Sequence, residues 1–302
     1  MKPYELERLM ADPDTPKGAA FLAYMARGSS RRASGARALK SEAELRRIAL
    51  ERPPARRLRR HESGFDVIAE VKFSSPSEGA IANASFLGGR SDPHAALLRA
   101  LKYAEAGACA ISVLTEPFAF RGSLEHLRRV ADESPVAVLR KDFLVDTYQV
   151  WEARAEGADG VLLVARIVDD ERLTELLDAS EEAGLFALVE AFDEEDLERI
   201  RAAVRERRGQ RILIGVNNRD LDSLEVDLDR CGRMAAGLPV LFPSVAESGL
   251  SRPHDAFEVA RHGYDLALIG SALMKSEDPA ARLRNFLERG RRGVAAREGL
   301  AS

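Results

Sequence analysis

Glu70 and Lys72 interrupt the otherwise apolar run FDVIAEVK (65–72), and two residues apart they fall on the same side of any strand it forms. Similar runs end in the same way: VAVLRK on Lys141, FALVE on Glu190, ILIGVN on Asn217, and VLFPSVAE on Glu247 with Ser248 and Gly249 next. LALI leads into Gly270 and Ser271. Lysines and glutamates gathered in one place permit acid–base chemistry: Lys72 and Lys141 can offset anionic groups or deliver a proton, and Glu70 and Glu190 can accept or return one. Gly249 lets backbone amides approach a ligand. Two loops that open helices with Gly and Ser attract a phosphate through free N–H groups and the helix dipole.

For these groups to meet, the elements carrying them must converge. Eight apolar runs qualify as strands: 65–72, 108–115, 136–141, 160–165, 186–190, 212–217, 240–247 and 266–270, each followed by a charged amphipathic stretch. They are nearly continuous in apolar residues, as parallel strands covered on both faces are. After one long first interval the strand ends recur about every 25 residues, the spacing of a β-α unit. The expected fold is α/β, a (β/α)8 TIM barrel with an N-terminal helical extension. Residues 1–64 form a basic extension with helix-like pieces near 3–10, 18–27 and 40–51, and residues 65–302 form the barrel. A doubly wound sheet would want a glycine-rich dinucleotide turn after its first strand, where this chain has SSPSEG. In such a barrel the C-terminal strand ends carry the chemistry, and alternate strands supply one interior layer. Strands 1, 3, 5 and 7 all end in Lys or Glu, so they point to a site. The loops after strands 7 and 8 are the recurring phosphate position, which makes the substrate a small anionic sugar phosphate.

Composition narrows the partners. The net charge of the chain is -4, and no apolar stretch approaches a membrane span of roughly 20 residues. The start, MKPYELERLM, lacks a secretion signal, so a cytoplasmic enzyme without membrane contact is expected. Five scattered histidines and two cysteines make no metal constellation, and neither metal nor cofactor is expected; Cys109 and Cys231 are expected to be buried thiols. Residues 27–60 carry a local charge of +9, which leaves -13 on the remainder. That segment contains no Phe, Tyr or Trp to stack on bases, so a solvated helical face is expected rather than nucleic-acid binding.

The blocks IAEVKFSSPSEG, AISVLTEPFAFRGSLEHL, VLRKDFLVDTYQVWEARAEGADGVLLVA, LVEAFDEEDL, IGVNNRDLDSLEVDL, VAESGLSRPHD and ALIGSALMKSEDP, in that order, resemble the indole-3-glycerol phosphate synthase family of tryptophan biosynthesis. The resemblance implies closure of an indole ring. The ring of 1-(2-carboxyphenylamino)-1-deoxyribulose 5-phosphate attacks the ribulose carbonyl, and carbon dioxide and water leave. It makes Lys141 the general acid at the carbonyl oxygen, Lys72 the holder of the substrate carboxylate and Glu190 the base or proton relay of dehydration. Glu70, Asn217 and Glu247 orient substrate and lysines, and Arg219 supports them. Ser75, Gly249, Gly270 and Ser271 bind the phosphate, with Ser248 beside them. Phe73 and Glu78 stand where the family commonly has basic residues, so the flexible first loop is expected to lose positive charge. Two other readings are a divergent paralogue in a secondary pathway, and another sugar-phosphate lyase or aldolase in which Lys141 or Lys72 attacks the carbonyl. A monofunctional monomer or homodimer is expected.

Overall fold

In a computed structural model, residues 19–75, 79–80, 92–208, 211–220 and 225–300 are described. Eight parallel strands close into a barrel: β1 (Asp66–Val71), β2 (Ala110–Leu114), β3 (Ala137–Lys141), β4 (Gly160–Val164), β5 (Phe186–Ala191), β6 (Ile212–Asn217), β7 (Ser244–Glu247) and β8 (Leu266–Ile269). Each strand pairs with its sequence neighbours, and β1 closes the ring by pairing Ile68 with Ala110 on one side and Leu268 on the other. The expected (β/α)8 barrel is therefore present.

Helices α1 (Ala19–Leu39) and α2 (Glu42–Glu51) precede the barrel. The outer layer contains α3 (Pro93–Glu105), α4 (Leu124–Glu133), α5 (Thr147–Ala155), α6 (Asp170–Glu182), α7 (Glu194–Val204), α8 (Asp229–Met234), α9 (Pro253–Arg261), α10 (Ser271–Met274) and α11 (Pro279–Leu300). Their boundaries follow local chemistry. Asp92, Ser123, Asp146, Asp169 and Asp193 cap α3 to α7 by accepting backbone N–H groups of the first turn. Gly157 and Gly263, at φ 90° and 107°, end α5 and α9 in the left-handed region that turns the chain into the next strand.

The core has two parts. Side chains on the outer faces of the strands pack against the helices, while Ile68, Ala110, Leu139, Leu162, Leu188, Leu213, Val245, Leu266 and Leu268 fill the barrel. Phe21, Leu22 and Met25 of α1 join the interior group, so the first helix stoppers one end of the barrel. Cys109 and Cys231 are buried and unpaired in disulfides.

Three expectations change. The run at 240–247 begins as a strand only at Ser244: Pro243 has no N–H to donate, Phe242 N–H turns back to Pro239, and Val240 and Leu241 are exposed. The helix expected near 18–27 continues to Leu39 through Gly28 and Gly35, because its second half is pinned to the barrel by Ser29 and Arg32. The basic segment is a solvated face only in part: Arg27, Arg31, Arg47, Arg57 and Arg59 are exposed, while six other arginines reach the barrel. Arg32, Arg37, Arg46, Arg52, Arg56 and Arg60 pair with Asp142, Asp146, Glu182, Asp132, Asp159 and Asp265 of the barrel. The piece at 3–10 lies outside the described residues.

Candidate active site

Alternation along the strands positions the ionisable groups. Ile68, Leu139, Leu188 and Val245 point into the barrel, so Glu70, Lys141, Glu190 and Glu247, each two residues further on, point the same way one layer higher. Lys141 Nζ lies 2.8 Å from Glu247 Oε2 and 4.0 Å from Glu70 Oε2, and Lys72 Nζ lies 3.0 Å from Glu70 Oε1. Asn217 Nδ2 donates to Glu190 Oε1 at 2.7 Å, while Asn217 Oδ1 accepts the Arg219 N–H at 2.9 Å. Between these strands, β6 contributes Gly215 and β8 leads into Gly270. A Cβ at either would stand 2.2 Å from Glu247 Oε1 or Glu70 Oε1, so the glycines leave the space that the carboxylates occupy.

Burial would drive charge out of this layer, and the pairing decides which groups keep it. Burial lowers the Lys141 ammonium, but Glu247, Glu190 and Glu70 outweigh it and hold the group well above the usual lysine range. Burial raises the Glu70 carboxyl, but Lys72 and Lys141 outweigh it and hold it below the usual range. At Glu190 the balance falls the other way: burial and the Glu247 charge outweigh Lys141 and the Asn217 hydrogen bond and push it up to about 8. Glu247 Oε1, buried, has no donor as the groups stand. Raised to about 8, Glu190 keeps its proton near neutrality, and that proton gives its hydrogen bond to Glu247 a donor.

The layer floors a cavity of about 340 Å³ at the C-terminal ends of the strands. Glu70, Lys72, Ser75, Lys141, Glu190, Asn217, Arg219, Ser248, Gly249, Gly270 and Ser271 all line it; Glu247, fully buried, lies behind Lys141 and acts on the cavity through it. Ser248 and Gly249 both have positive φ, 63° and 83°, and the serine marks strain in the β7–α9 turn. The start of α9 differs from expectation: Asp255 accepts the Ser251 and Arg252 N–H groups, so those amides are already satisfied.

Several contributors were not singled out from the sequence. Phe21 and Leu22 of α1, with Leu114, Phe120, Phe143 and Phe192, make one side of the cavity apolar. Asn218 is buried and donates to the Glu247 and Ser248 carbonyls, fixing the turn that carries both. The NNRD stretch held the signal for Asn218, since alternation sends one asparagine inward and the next outward. Phe73, placed in the first loop by its sequence, is buried, with its ring centroid 5.1 Å from that of His126. Next to it Ser74–Ser75 pairs with Gly79–Ala80 in a short antiparallel ladder. Glu78 and the rest of the long first loop lie outside the described residues. Among the described residues no cluster of His, Cys, Asp or Glu is arranged to hold a metal ion, and no helix is long and apolar enough to cross a membrane.

Comparison with known proteins agrees with this geometry. The family model for indole-3-glycerol phosphate synthase matches residues 29–286. Relatives bearing that name include those of Salinibacter ruber, 43% identical over 79% of this chain and 83% of the relative, and Aquifex aeolicus, 42% identical over 74% and 82%. Solved structures with a similar fold include 3-hexulose-6-phosphate synthase from Salmonella typhimurium (TM-score 0.58, 17% identity, 76% of this chain and 99% of that one). Another is N-(5'-phosphoribosyl)anthranilate isomerase from Pyrococcus furiosus (TM-score 0.51, 17% identity, 76% and 99%). At such identities these two show the fold alone.

Proposed function

The chain belongs to the indole-3-glycerol phosphate synthase family, and on that premise we propose that the polar layer at the barrel mouth carries out the family's ring closure. The activity is that of a carboxy-lyase of tryptophan biosynthesis, converting 1-(2-carboxyphenylamino)-1-deoxyribulose 5-phosphate to indole-3-glycerol phosphate. The observation that carries the assignment of roles is Lys141, held as an ammonium between Glu247 and Glu70 within the cavity.

The ring carbon bearing the carboxylate attacks the ribulose carbonyl, and Lys141 protonates the carbonyl oxygen as its charge develops. Carbon dioxide then leaves, and its electron pair restores the aromatic ring. Lys72 holds the carboxylate before departure and next protonates the hydroxyl, which leaves as water. Once Lys141 has given up its proton, the proton on Glu190 passes back to it, and the ionised Glu190 takes the proton released from the new five-membered ring; a carboxyl raised to about 8 suits such a relay better than an ordinary glutamate. Glu70 and Glu247 hold the two lysines, Asn217 holds Glu190, and Arg219 supports Asn217. Ser75, Ser248, Gly249, Gly270 and Ser271 take the phosphate, and the apolar side takes the aromatic ring. An ammonium has no lone pair for a Schiff base, so Lys141 does not suit the aldolase reading. The enzyme is taken to be cytoplasmic and to work as a monomer or homodimer.

Incubation with the carboxyphenylamino-deoxyribulose phosphate should produce indole fluorescence, and Lys141→Ala should lower the rate by on the order of 10²- to 10⁴-fold. No signal from the wild type would overturn the activity; a wild-type rate in Lys141→Ala would overturn the role of that lysine.

A further inference from the structure

Helix α1 reaches the site with two polar side chains one turn apart. Buried Ser29 Oγ accepts from Gln149 Nε2 at 2.7 Å, and Gln149 Oε1 accepts the Val145 N–H at 2.9 Å. Arg32 Nη2 donates to Asp142 Oδ1 at 2.7 Å, and its Nη1 lies 3.6 Å from Glu116 Oε1. Each of these carboxylates shapes a loop that presents an aromatic ring. Asp142, next in sequence to Lys141, accepts the Phe143 N–H at 2.8 Å. Glu116 accepts the N–H groups of Phe118, Ala119 and Phe120 at 3.1, 2.7 and 3.1 Å. Phe120 and Phe143 both line the cavity with ring centroids 6.2 Å apart, and Phe21 of α1 meets Phe143 edge-on at the same distance. The two carboxylates are buried and repel each other: burial and Asp142 push Glu116 up, whereas Arg32 and Arg140 outweigh burial at Asp142 and hold it below its usual range.

Resting on the ring closure above, we propose that Arg32 is a positioning residue for the substrate's aromatic ring: by drawing Asp142 and Glu116 together it fixes Phe143 and Phe120 as the wall against which that ring lies. The guanidinium acts through two loops and touches neither the lysines nor the phosphate end, so its loss weakens binding of a ligand with the ring and spares one without it.

The test uses the full chain as wild type, Arg32→Met, Arg32→Lys, Phe143→Leu and the Arg32→Met/Phe143→Leu double variant. Three quantities are measured: kcat and KM for the substrate, Kd for its borohydride-reduced form, which cannot close the ring, and Kd for ribulose 5-phosphate, which has no aromatic ring. In Arg32→Met the KM and the Kd of the reduced substrate rise about tenfold, the size of an aromatic contact. The Kd of ribulose 5-phosphate moves less than twofold, Arg32→Lys recovers much of the loss, and the double variant is no worse than the weaker single one. Equal weakening of both ligands, a fall in kcat with KM unmoved, or additive losses overturn the proposal. If Arg32→Met does not fold, Arg32→Lys and Phe143→Leu make the same comparison, selective loss supporting the proposal and equal loss overturning it. Absence of turnover by the wild type overturns the proposed function, and the two dissociation constants still decide the role of Arg32.

Discussion

Two glycines shape the site as much as the charges beside them. The charges were legible: odd-numbered strands ending in Lys or Glu mark one interior layer by alternation alone. Gly215 was not, because a glycine inside a strand can equally mean a bulge or a close backbone approach, and only the folded barrel shows that it faces Glu247. The atom that a Cβ at Gly215 would meet first is the buried carboxylate end of Glu247, and the next, Leu188 Cδ1 at 3.2 Å, is itself a tight contact. Gly215→Ala therefore costs stability, on the order of 3 kcal/mol, as it crowds Leu188 and pushes Glu247 off Lys141. A displaced general acid lowers kcat by on the order of 10²-fold. Steady-state kinetics beside a thermal melt check this, and wild-type kcat in the variant would show that Lys141 keeps its position without Glu247.

The extension before β1 shows where reading by element fell short. Its basic residues and the acidity of the rest were visible as +9 against -13, yet the two were not matched, because a sequence does not say which carboxylate lies under which arginine. Likewise the helix expected near 18–27 runs on through Gly28 and Gly35, where tertiary contacts at Ser29 and Arg32 override the low helix preference of glycine. The strand reading held in seven runs to within two residues at either end, and failed at 240–243 where a proline cannot continue a ladder. Among the arginine contacts Arg56 is the most deeply engaged. Its N–H and Nε donate to Asp159 at 2.7 and 2.8 Å, and its other nitrogens reach the Ser134 and Ala131 carbonyls. Asp159 is buried, so Arg56→Ala leaves a carboxylate without its counter-charge and should cost about 3 to 5 kcal/mol. The exposed Arg47, paired with Glu51 one turn away, serves as comparison, and Arg47→Ala should cost no more than about 0.5 kcal/mol. Equal losses in denaturant unfolding would mean that the extension is not fastened through Asp159.

At the scale of the whole molecule, the site asks the fold to bury a carboxyl that the fold alone would not favour as an anion. Between about pH 4.5 and about pH 8 the folded chain keeps the Glu190 proton while the unfolded chain has released it. Stability from this group is thus complete below the lower value, falls as pH rises through the window, and is gone above the upper one. Glutamine copies the protonated carboxyl in shape and cannot ionise, so Glu190→Gln should match the wild type in thermal midpoint near pH 4.5 and exceed it increasingly up to about pH 8. Above that the difference levels off. Activity should be lost in the same variant, since no proton acceptor remains on β5 for the dehydration. A stabler and inactive protein is the expected signature of a group kept for chemistry at the expense of packing. Because both proteins share every other titrating group, the difference between their melting curves reports Glu190 together with its coupling to Glu247 and Lys141. A difference that stays flat from pH 5 to pH 9 would show that Glu190 ionises in the folded barrel as it does in the unfolded chain, and would remove the proton it is said to hold and relay near neutrality.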